Sequence, residues 1–211
     1  MARAKKDPVP RPRKLPTTAH GRSIVEAILV AAEAILTSEG VAGLNTKAIA
    51  KKAGVSVGSL YQYFPNKQAI VRGVAERLER RGDEVGTATF ESVASLPVRD
   101  VTRAMVKVFL STDLGERDMR RALLRDVPAR WLEGTSEAVD AGAQARIAAL
   151  LASRPDEVRP APSELQAFVV YHAVEAVVEA ALRSAPELLD DAVFAEELFR
   201  LGWGYLRPDR E

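Results

Sequence analysis

The chain has 211 residues, 47% hydrophobic and 28% charged, which is the composition of a soluble globular protein with enough length for one large domain or two units. It has no cysteine, which excludes disulfides, thiolate metal sites and cysteine nucleophiles, and its two histidines are too few for a zinc cluster. Neither a metal nor a cofactor is predicted. Residues 1–81 carry a net charge of +9, from 15 Lys and Arg against 6 Asp and Glu, and residues 82–211 carry −8, from 15 Lys and Arg against 23 Asp and Glu. This asymmetry favours a polyanionic partner for the first part of the chain, and the alternative is chance clustering together with a basic tail.

The first 20 residues are rich in proline and basic side chains and lack helical periodicity, so residues 1–20 are predicted to form a disordered arm. They contain no apolar signal segment, and no uninterrupted apolar run of about 18–20 residues follows. A cytoplasmic protein without a membrane span is therefore expected. Order is predicted from Ser23, which forms a capping-box pattern with Glu26, and the first helix should end at Gly40.

Residues 45–67 are predicted to form two short helices joined by a tight turn. Asn45 and Ser56 are suitable N-caps, and Gly54 can adopt the left-handed conformation of the turn. Apolar Ile49 and Leu60 would then face inward. Because a second helix of this kind fits the major groove and presents its N-terminal residues to base edges, the pattern favours a helix-turn-helix that binds DNA.

The rest of the chain alternates helical periodicity with proline-containing boundaries and shows no strand-like alternation. An all-α fold is predicted, with a helix-turn-helix domain at 21–67 and a helical regulatory and dimerisation domain at 68–211. The segment 66–81 would be the connecting helix. The predicted helices after the first are 45–53, 57–63, 66–81, 84–95, 98–113, 117–132, 135–153, 163–184 and 190–206.

The run IAKKAGVSVGSLYQYFPNKQAI, within a match from about Arg22 to Val71, closely resembles the signature of the TetR family of bacterial transcriptional regulators. The later two thirds fit the family only as a variable all-helical domain. The resemblance implies a homodimer, usually a repressor, which binds a palindromic operator in double-stranded DNA. A small-molecule effector would alter the separation of the two DNA-reading heads.

Roles follow residue by residue for the DNA-binding part. Phosphate contacts are expected from hydroxyl and ammonium groups, and base contacts from the outward N-terminal face of the second helix. Tyr63 could instead be a packing residue, and Lys67 a solvated charge. The basic arm could follow the backbone or enter the minor groove, or it could be only a solubilising tail. The expected phosphate ligands are Thr46, Ser59, Tyr61, Tyr63 and Lys67, and the expected base contacts are Val57, Gly58 and Gln62.

The last two predicted helices carry small and apolar residues along one face. Ser163 with Gln166 gives another capping-box pattern at the start of the first of them. The family resemblance implies that these helices form a four-helix dimer interface, although they could pair only within one chain. The interface residues would be Ala173, Ala176, Val177, Ala180, Phe194, Leu198, Leu201 and Tyr205.

A ligand pocket is expected among the middle helices, where large apolar or adaptable side chains occur. Glu175, three residues after His172, could hold the tautomer of the histidine or meet a polar effector, although a satisfied core histidine is the alternative. The pocket candidates are Met105, Phe109, Met119, Trp131, Phe168 and His172.

Neither a nucleophile elbow, a phosphate loop nor a zinc-protease motif occurs, so no catalytic residue is predicted and an enzyme is not expected. The alternative to an effector-released repressor is a DNA-binding architectural or partner-regulated protein of the same fold.

Overall fold

The computed structural model describes residues 16–110 and 114–208, and within these ranges the chain forms α-helices, two short 3-10 helices and no strand. The predicted all-α class is confirmed. The 3-10 helices are Pro155–Glu157 and Pro186–Asp190. The α-helices are α1 (Ala19–Gly43), α2 (Thr46–Ala53), α3 (Val57–Tyr63), α4 (Lys67–Val93), α5 (Val98–Leu110), α6 (Leu114–Asp126), α7 (Ala129–Leu132), α8 (Glu137–Ser153), α9 (Ser163–Ser184) and α10 (Ala192–Leu206).

These helices form two compact units. The N-terminal unit contains the residues up to Leu78 together with Asp118–Thr135, and the C-terminal unit contains Glu79–Arg117 and Ser136 onward. The sequence boundary at 67/68 differs from this division, because Met119 and Leu123 of α6 are buried in the same core as the residues of α1 to α4. Chain order alone does not indicate that α6 completes the first unit.

The first helix begins earlier than predicted. Thr18 is its N-cap, with its hydroxyl accepting a hydrogen bond from the Gly21 amide at 3.0 Å, so the capping box at Ser23 and Glu26 is wrong. Residues 19 and 20, assigned to the arm, are helical, and residues 1–15 of the arm lie outside the described residues. The end expected at Gly40 is present only as a break, since its φ of 66° and ψ of −168° are not helical but α1 continues beyond it to Gly43.

Two further boundaries differ. The segments 66–81 and 84–95 belong to one helix, α4, which Asn66 caps by accepting from the Ala69 amide at 2.8 Å. The segment 117–132 is instead two helices, α6 and α7, separated at Val127 and Pro128. Proline has no amide hydrogen to continue the helical bonding, which accounts for the break.

The start of α9 is as predicted, but its cap is not. Pro162 precedes the helix and no side chain caps it. Gln166, expected to form the capping box with Ser163, is buried, and its side-chain Nε2 donates to the Arg159 carbonyl at 2.9 Å. By length and composition α9 also meets the criteria for a membrane span, but 44% of its apolar window is buried inside the protein, as in a core helix.

Buried and half-buried arginines fasten α4 within the N-terminal unit. Arg72 is 4% exposed, pairs with Glu76 at 2.8 Å and donates to the Glu133 carbonyl at 2.6 Å. Arg77 pairs with Glu33 of α1 at 2.5 Å and also with Glu26. Since a buried cation is stable only with such partners, the Arg77 pairs fix α4 against α1, and Arg72 ties α4 to the residue that follows α7.

Candidate nucleic-acid interface and cavity

The turn between α2 and α3 is built from local contacts that the sequence predicted. Asn45 Oδ1 accepts from the Ala48 amide at 2.8 Å, and Ser56 Oγ accepts from the Ser59 amide at 2.9 Å. Gly54 has φ 67° and ψ 27°, the left-handed conformation that favours glycine. Ile49 and Leu60 are fully buried, so the inward faces of both helices are confirmed.

The remaining face of α3 points to solvent. Val57 and Tyr61 are 38% and 42% exposed, and Gly58 and Gln62 are exposed as well. These residues lie on the seven-residue helix α3, whose one buried residue is Leu60. The predicted base-contacting residues therefore share one accessible surface, although their contacts with DNA stay a prediction.

Four of the predicted phosphate ligands lie on α2, on α3 or at the start of α4, and two of them are in contact. Thr46 Oγ1 lies 3.2 Å from the Tyr61 hydroxyl, which joins the start of α2 to α3. Lys67 is the first residue of α4 and is half-buried. Ser59 is half-buried, with its hydroxyl 2.8 Å from Ser56 Oγ.

Tyr63 has a packing role that the sequence left open. It is half-buried against the core of the N-terminal unit. A Cβ placed on the buried Gly21 would lie 2.8 Å from the Tyr63 hydroxyl, so this glycine allows α1 to approach the end of α3. Tyr63 thus positions α3 whether or not it also contacts a phosphate.

The charged side chains of residues 40–75 are all cationic. Residues 40–75 contain no Asp or Glu, and their cations are Lys47, Lys51, Lys52, Lys67 and Arg72. Arg72 is buried and paired, whereas Lys47, Lys51 and Lys52 of α2 are exposed. A surface of exposed ammonium groups without local carboxylates attracts a polyanion.

The C-terminal unit contains a partly open apolar cavity with about 60 Å³ of space for the centre of a water-sized sphere. Of the predicted pocket residues, Met105 and Phe109 line it. Thr102 and Tyr171 are polar residues in its wall, and both hydroxyls are engaged elsewhere, with the Val98 carbonyl at 2.8 Å and with Asp140 at 2.9 Å. The wall therefore presents no free hydrogen-bond donor to the interior, although the two hydroxyl oxygens can still accept.

The other pocket candidates are placed elsewhere. Met119 and Trp131 pack in the core of the N-terminal unit. Phe168 is 53% exposed, its ring lies 4.7 Å from that of His172, and neither residue lines the cavity. The inward face of α9 carries Val170, Tyr171 and Val174 instead, at the i, i+1 and i+4 spacing of one helix face, which is a signal that the sequence reasoning missed.

A half-buried polar cluster adjoins Tyr171. His172 Nδ1 lies 2.9 Å from Glu175 Oε2, so the pairing considered from the sequence is present, and His172 Nε2 lies 3.1 Å from the Gln144 amide nitrogen. Because that nitrogen can only donate, Nε2 accepts and Nδ1 donates to Glu175. Burial raises the pKa of Glu175, with a further contribution from Asp140, and burial raises the pKa of Tyr171 far above its usual range.

Glu175→Gln is expected to stabilise the protein at neutral and alkaline pH. A carboxyl whose pKa is raised in the folded state holds its proton more tightly there than in the unfolded chain, so its contribution to stability falls as pH rises between the two pKa values. Glutamine cannot ionise and still offers His172 an acceptor. We expect the Tm of the variant to exceed that of the natural protein at pH 8 and the difference to shrink towards pH 4.5.

Glu91→Gln, at an exposed position of α4, is the matched control and should show no such trend. A Tm difference for Glu175→Gln that stays constant with pH, or grows in acid, would contradict the buried-carboxyl interpretation.

The predicted dimer residues are divided between surface and core. Ala176, Val177 and Ala180 of α9 and Leu201 of α10 are exposed, and Ala173, Phe194 and Tyr205 are half-buried. Leu198 is different, since it is 2% exposed and already covered by its own chain. Val193, 68% exposed, is an apolar surface residue of α10 that the sequence reasoning did not select.

Comparison with known proteins supports this architecture. Residues 28–74 match the model for bacterial regulatory proteins of the tetR family, and residues 97–206, more than half of the chain, match that for the tetracycline repressor-like C-terminal domain. The regulator EthR of Mycobacterium tuberculosis is 29% identical over 96 residues, 46% of this chain and 44% of EthR. The nucleoid occlusion factor SlmA of Actinobacillus pleuropneumoniae is 37% identical over 79 residues, 37% of this chain and 36% of SlmA. The matches thus span less than half of either relative.

Solved structures extend the likeness to nearly the whole chain. SmeT, the repressor of a Stenotrophomonas maltophilia multidrug efflux pump, is 25% identical, with a TM-score of 0.63 over 87% of this chain and 90% of SmeT. A complex of SmeT with triclosan is 24% identical, with a TM-score of 0.64 over 89% and 93%. With both family models matched in chain order and the fold shared, the chain belongs to the TetR family of bacterial regulatory proteins.

Proposed function

We propose that this protein is a sequence-specific DNA-binding transcriptional regulator, a repressor that a small molecule releases from its operator. The observation that carries the proposal is the accessible face of α3, which lies within a stretch that has no carboxylate and has exposed lysines on α2. A short helix with its N-terminal face free and cations beside it has the shape and the charge that major-groove binding requires.

On this surface, different side chains carry different parts of the recognition. Val57 would contact a thymine methyl, Gly58 would allow close approach, and Gln62 would donate to and accept from an adenine edge. Phosphate contacts from Thr46, Ser59, Tyr61, Tyr63 and Lys67 would set the register without reading sequence.

The operator is proposed to be palindromic because two copies of the chain would bind it. The exposed residues Ala176, Val177, Ala180 and Leu201 are small or apolar, which suits a second copy packing its own α9 and α10 against them. Two-fold symmetry would then place the two α3 helices in successive major grooves, ~34–36 Å apart for adjacent half-sites.

The effector is proposed to be a neutral, largely apolar molecule that enters the cavity of the C-terminal unit. Both wall hydroxyls already donate to other groups and no charged side chain lines the cavity, so a charged ligand would lose its hydration without finding an ion-pair partner. The SmeT complex with triclosan shows a protein of this fold holding a small aromatic molecule. Effector and operator should weaken each other to the same extent, because each prefers a different conformation.

We place this activity in the cytoplasm, where the DNA is, and assign no catalytic step to the protein. The alternative is a DNA-binding architectural or partner-regulated protein of the same fold, which the likeness to SlmA brings into consideration. The apolar cavity of the C-terminal unit favours an effector. Thermal denaturation with a compound panel separates the two, because an effector that binds the native state raises the Tm, whereas a partner-regulated protein gives no such compound.

The test of DNA recognition is selection of bound fragments from a genomic library by the full-length protein, followed by affinity measurements on the recovered site. A palindrome with a steep salt dependence is expected, and Gln62→Ala should reduce discrimination at one base position by about 1–3 kcal/mol while leaving the salt slope unchanged. Lys52→Gln on α2 is the comparison, expected to weaken all sequences about equally. Binding that is salt-sensitive but indifferent to sequence would overturn the proposal.

A further inference from the structure

We propose that the cavity of the C-terminal unit selects an effector with one hydrogen-bond donor, such as a phenol, and that the Tyr171 oxygen accepts this bond; this inference rests on the proposed effector function. Among the described residues of the wall, only Thr102, Met105 and Tyr171 carry a polar side-chain atom. Thr102 donates to the Val98 carbonyl at 2.8 Å, and Tyr171 donates to Asp140 at 2.9 Å. Since a hydroxyl has one proton and the methionine sulfur has none, these wall side chains offer acceptors alone.

The backbone of the wall adds no free donor. The described wall residues all lie in helices, where their amides already donate, including Val98 at the start of α5, which donates to Glu157 Oε2 at 2.6 Å. A ketone, an ester or an ether would therefore lose its hydration here and meet no donor. An apolar ligand with one O–H or N–H group gains from burial and also keeps its polar group bonded.

The surroundings of Tyr171 make it a better acceptor than Thr102. Its hydroxyl donates to a carboxylate, a charge-assisted bond that polarises the oxygen, whereas Thr102 donates to a neutral carbonyl of its own helix. Burial raises the pKa of Tyr171, and nearby carboxylates raise it further, so the hydroxyl stays protonated in a negative potential. Those carboxylates are Glu175, Asp140 and Glu79. Such a potential attracts the positive end of a donor dipole and repels an anion.

The ligand-side experiment measures the affinity of the full-length natural protein for triclosan, for its O-methyl ether and for the analogue with hydrogen in place of the hydroxyl. A dichlorophenol with the same two derivatives gives a smaller series. The ether has more apolar area than the phenol, and the deoxy analogue is smaller, so neither burial nor a steric clash explains a loss in both. We expect each phenol to bind about tenfold more tightly than either derivative.

The protein-side experiment repeats these measurements with Tyr171→Phe. This change removes the accepting oxygen and keeps the ring that packs edge-on against Phe109, with centroids 5.8 Å apart. The ratio of the ether Kd to the phenol Kd should fall to about one, because only the phenol loses a bond. Thr102→Val, which has nearly the same shape, is the matched control and should keep the natural ratio. A ratio that survives in Tyr171→Phe would overturn the inference.

Asp140→Ala tests the same geometry with the Tyr171 oxygen still in place. Without the carboxylate, the Tyr171 proton can turn towards the cavity and donate to an ether, so the ratio should fall by severalfold through tighter binding of the ether. The Tm of each variant without ligand shows that it is folded. An unchanged ratio in Asp140→Ala would contradict an acceptor fixed by this hydrogen bond.

The remaining outcomes separate this inference from the effector proposal. If the ethers raise the Tm as much as the phenols, the cavity accepts apolar molecules without regard to a donor, and the effector proposal stands without this inference. A phenol that binds with the expected preference but leaves operator affinity unchanged would support the inference and overturn the release mechanism. Tighter binding of triclosan above the pKa of its own hydroxyl than below it would mean that the phenolate binds, which would overturn the inference.

Discussion

Replacing Gly58 with alanine is expected to stabilise the N-terminal unit and at the same time weaken operator binding. Gly58 lies within α3, and a Cβ there would meet only Ser56 Oγ, at an ordinary 3.7 Å. Packing within the chain therefore does not require glycine. A glycine in the middle of a helix costs ~0.5–1 kcal/mol relative to alanine, and Gly58 lies in the first turn of α3, so Gly58→Ala should raise the free energy of unfolding by up to ~0.5 kcal/mol.

The affinity for operator DNA is expected to fall, because a larger side chain on the exposed face of α3 keeps the helix away from the base edges. Gly58→Leu should place an isobutyl group at the proposed interface and lose contacts to two or more base pairs. At about 1–3 kcal/mol for each pair, this is a loss on the order of 100-fold in operator affinity. Thermal denaturation and operator titration of the same preparations give the two readouts.

Gly86→Ala is the matched control. Gly86 also lies in a helix, in the C-terminal unit, with nothing within 4 Å of an added Cβ. It should gain stability without any change in operator affinity. Unchanged operator affinity in both Gly58 variants would mean that this part of α3 does not approach DNA, and would move the reading surface to another face.

Local chemistry explains why the α2–α3 region could be predicted so closely. The caps at Asn45 and Ser56 and the left-handed Gly54 depend on residues within four positions of each other, and each is present in the structure. The α1 cap failed for a related reason. Ser23 and Thr18 are both competent caps, and the choice of Thr18 accompanies the packing of Gly21 against Tyr63, 42 positions away.

Long-range packing explains what the sequence could not predict. The C-terminal boundary of the first unit depends on Met119 joining a core built by α1 to α4. On α9, the large side chains of Phe168 and His172 drew attention away from the cavity, because Phe168 is exposed and His172 lies in the half-buried polar cluster, whereas Val170 and Val174 line the cavity. Side-chain size indicates apolar area, but only the partners of a helix decide which of its faces is inside.

Val174→Phe is expected to abolish the response to the effector while leaving operator binding intact. Val174 is 4% exposed and lines the cavity, where a phenyl ring in place of the isopropyl group would project into the space open to a ligand. Overpacking typically costs ~1–3 kcal/mol, which is less than the ~5–15 kcal/mol by which folded proteins are stable. Since α3 and its supports belong to the N-terminal unit, the variant should bind operator as the natural protein does.

The readout is the Tm shift produced by neutral aromatic compounds, with triclosan as the first probe. A compound present at 100 times its Kd stabilises the native state by ~2.7 kcal/mol, which for ~200 residues raises the Tm by roughly 5–10 °C. In Val174→Phe the shift should fall to near zero, and the same compound should no longer release the operator.

Val85→Phe controls for the substitution itself, because it makes the same change on α4 at a position 56% exposed. It should keep both the Tm shift and the release of DNA. A ligand response that survives in Val174→Phe would place the effector outside this cavity. If Val174→Phe loses the ligand response and operator binding together, the phenyl ring disturbs the conformation that binds DNA. Loss of ligand binding by itself cannot weaken the complex with DNA.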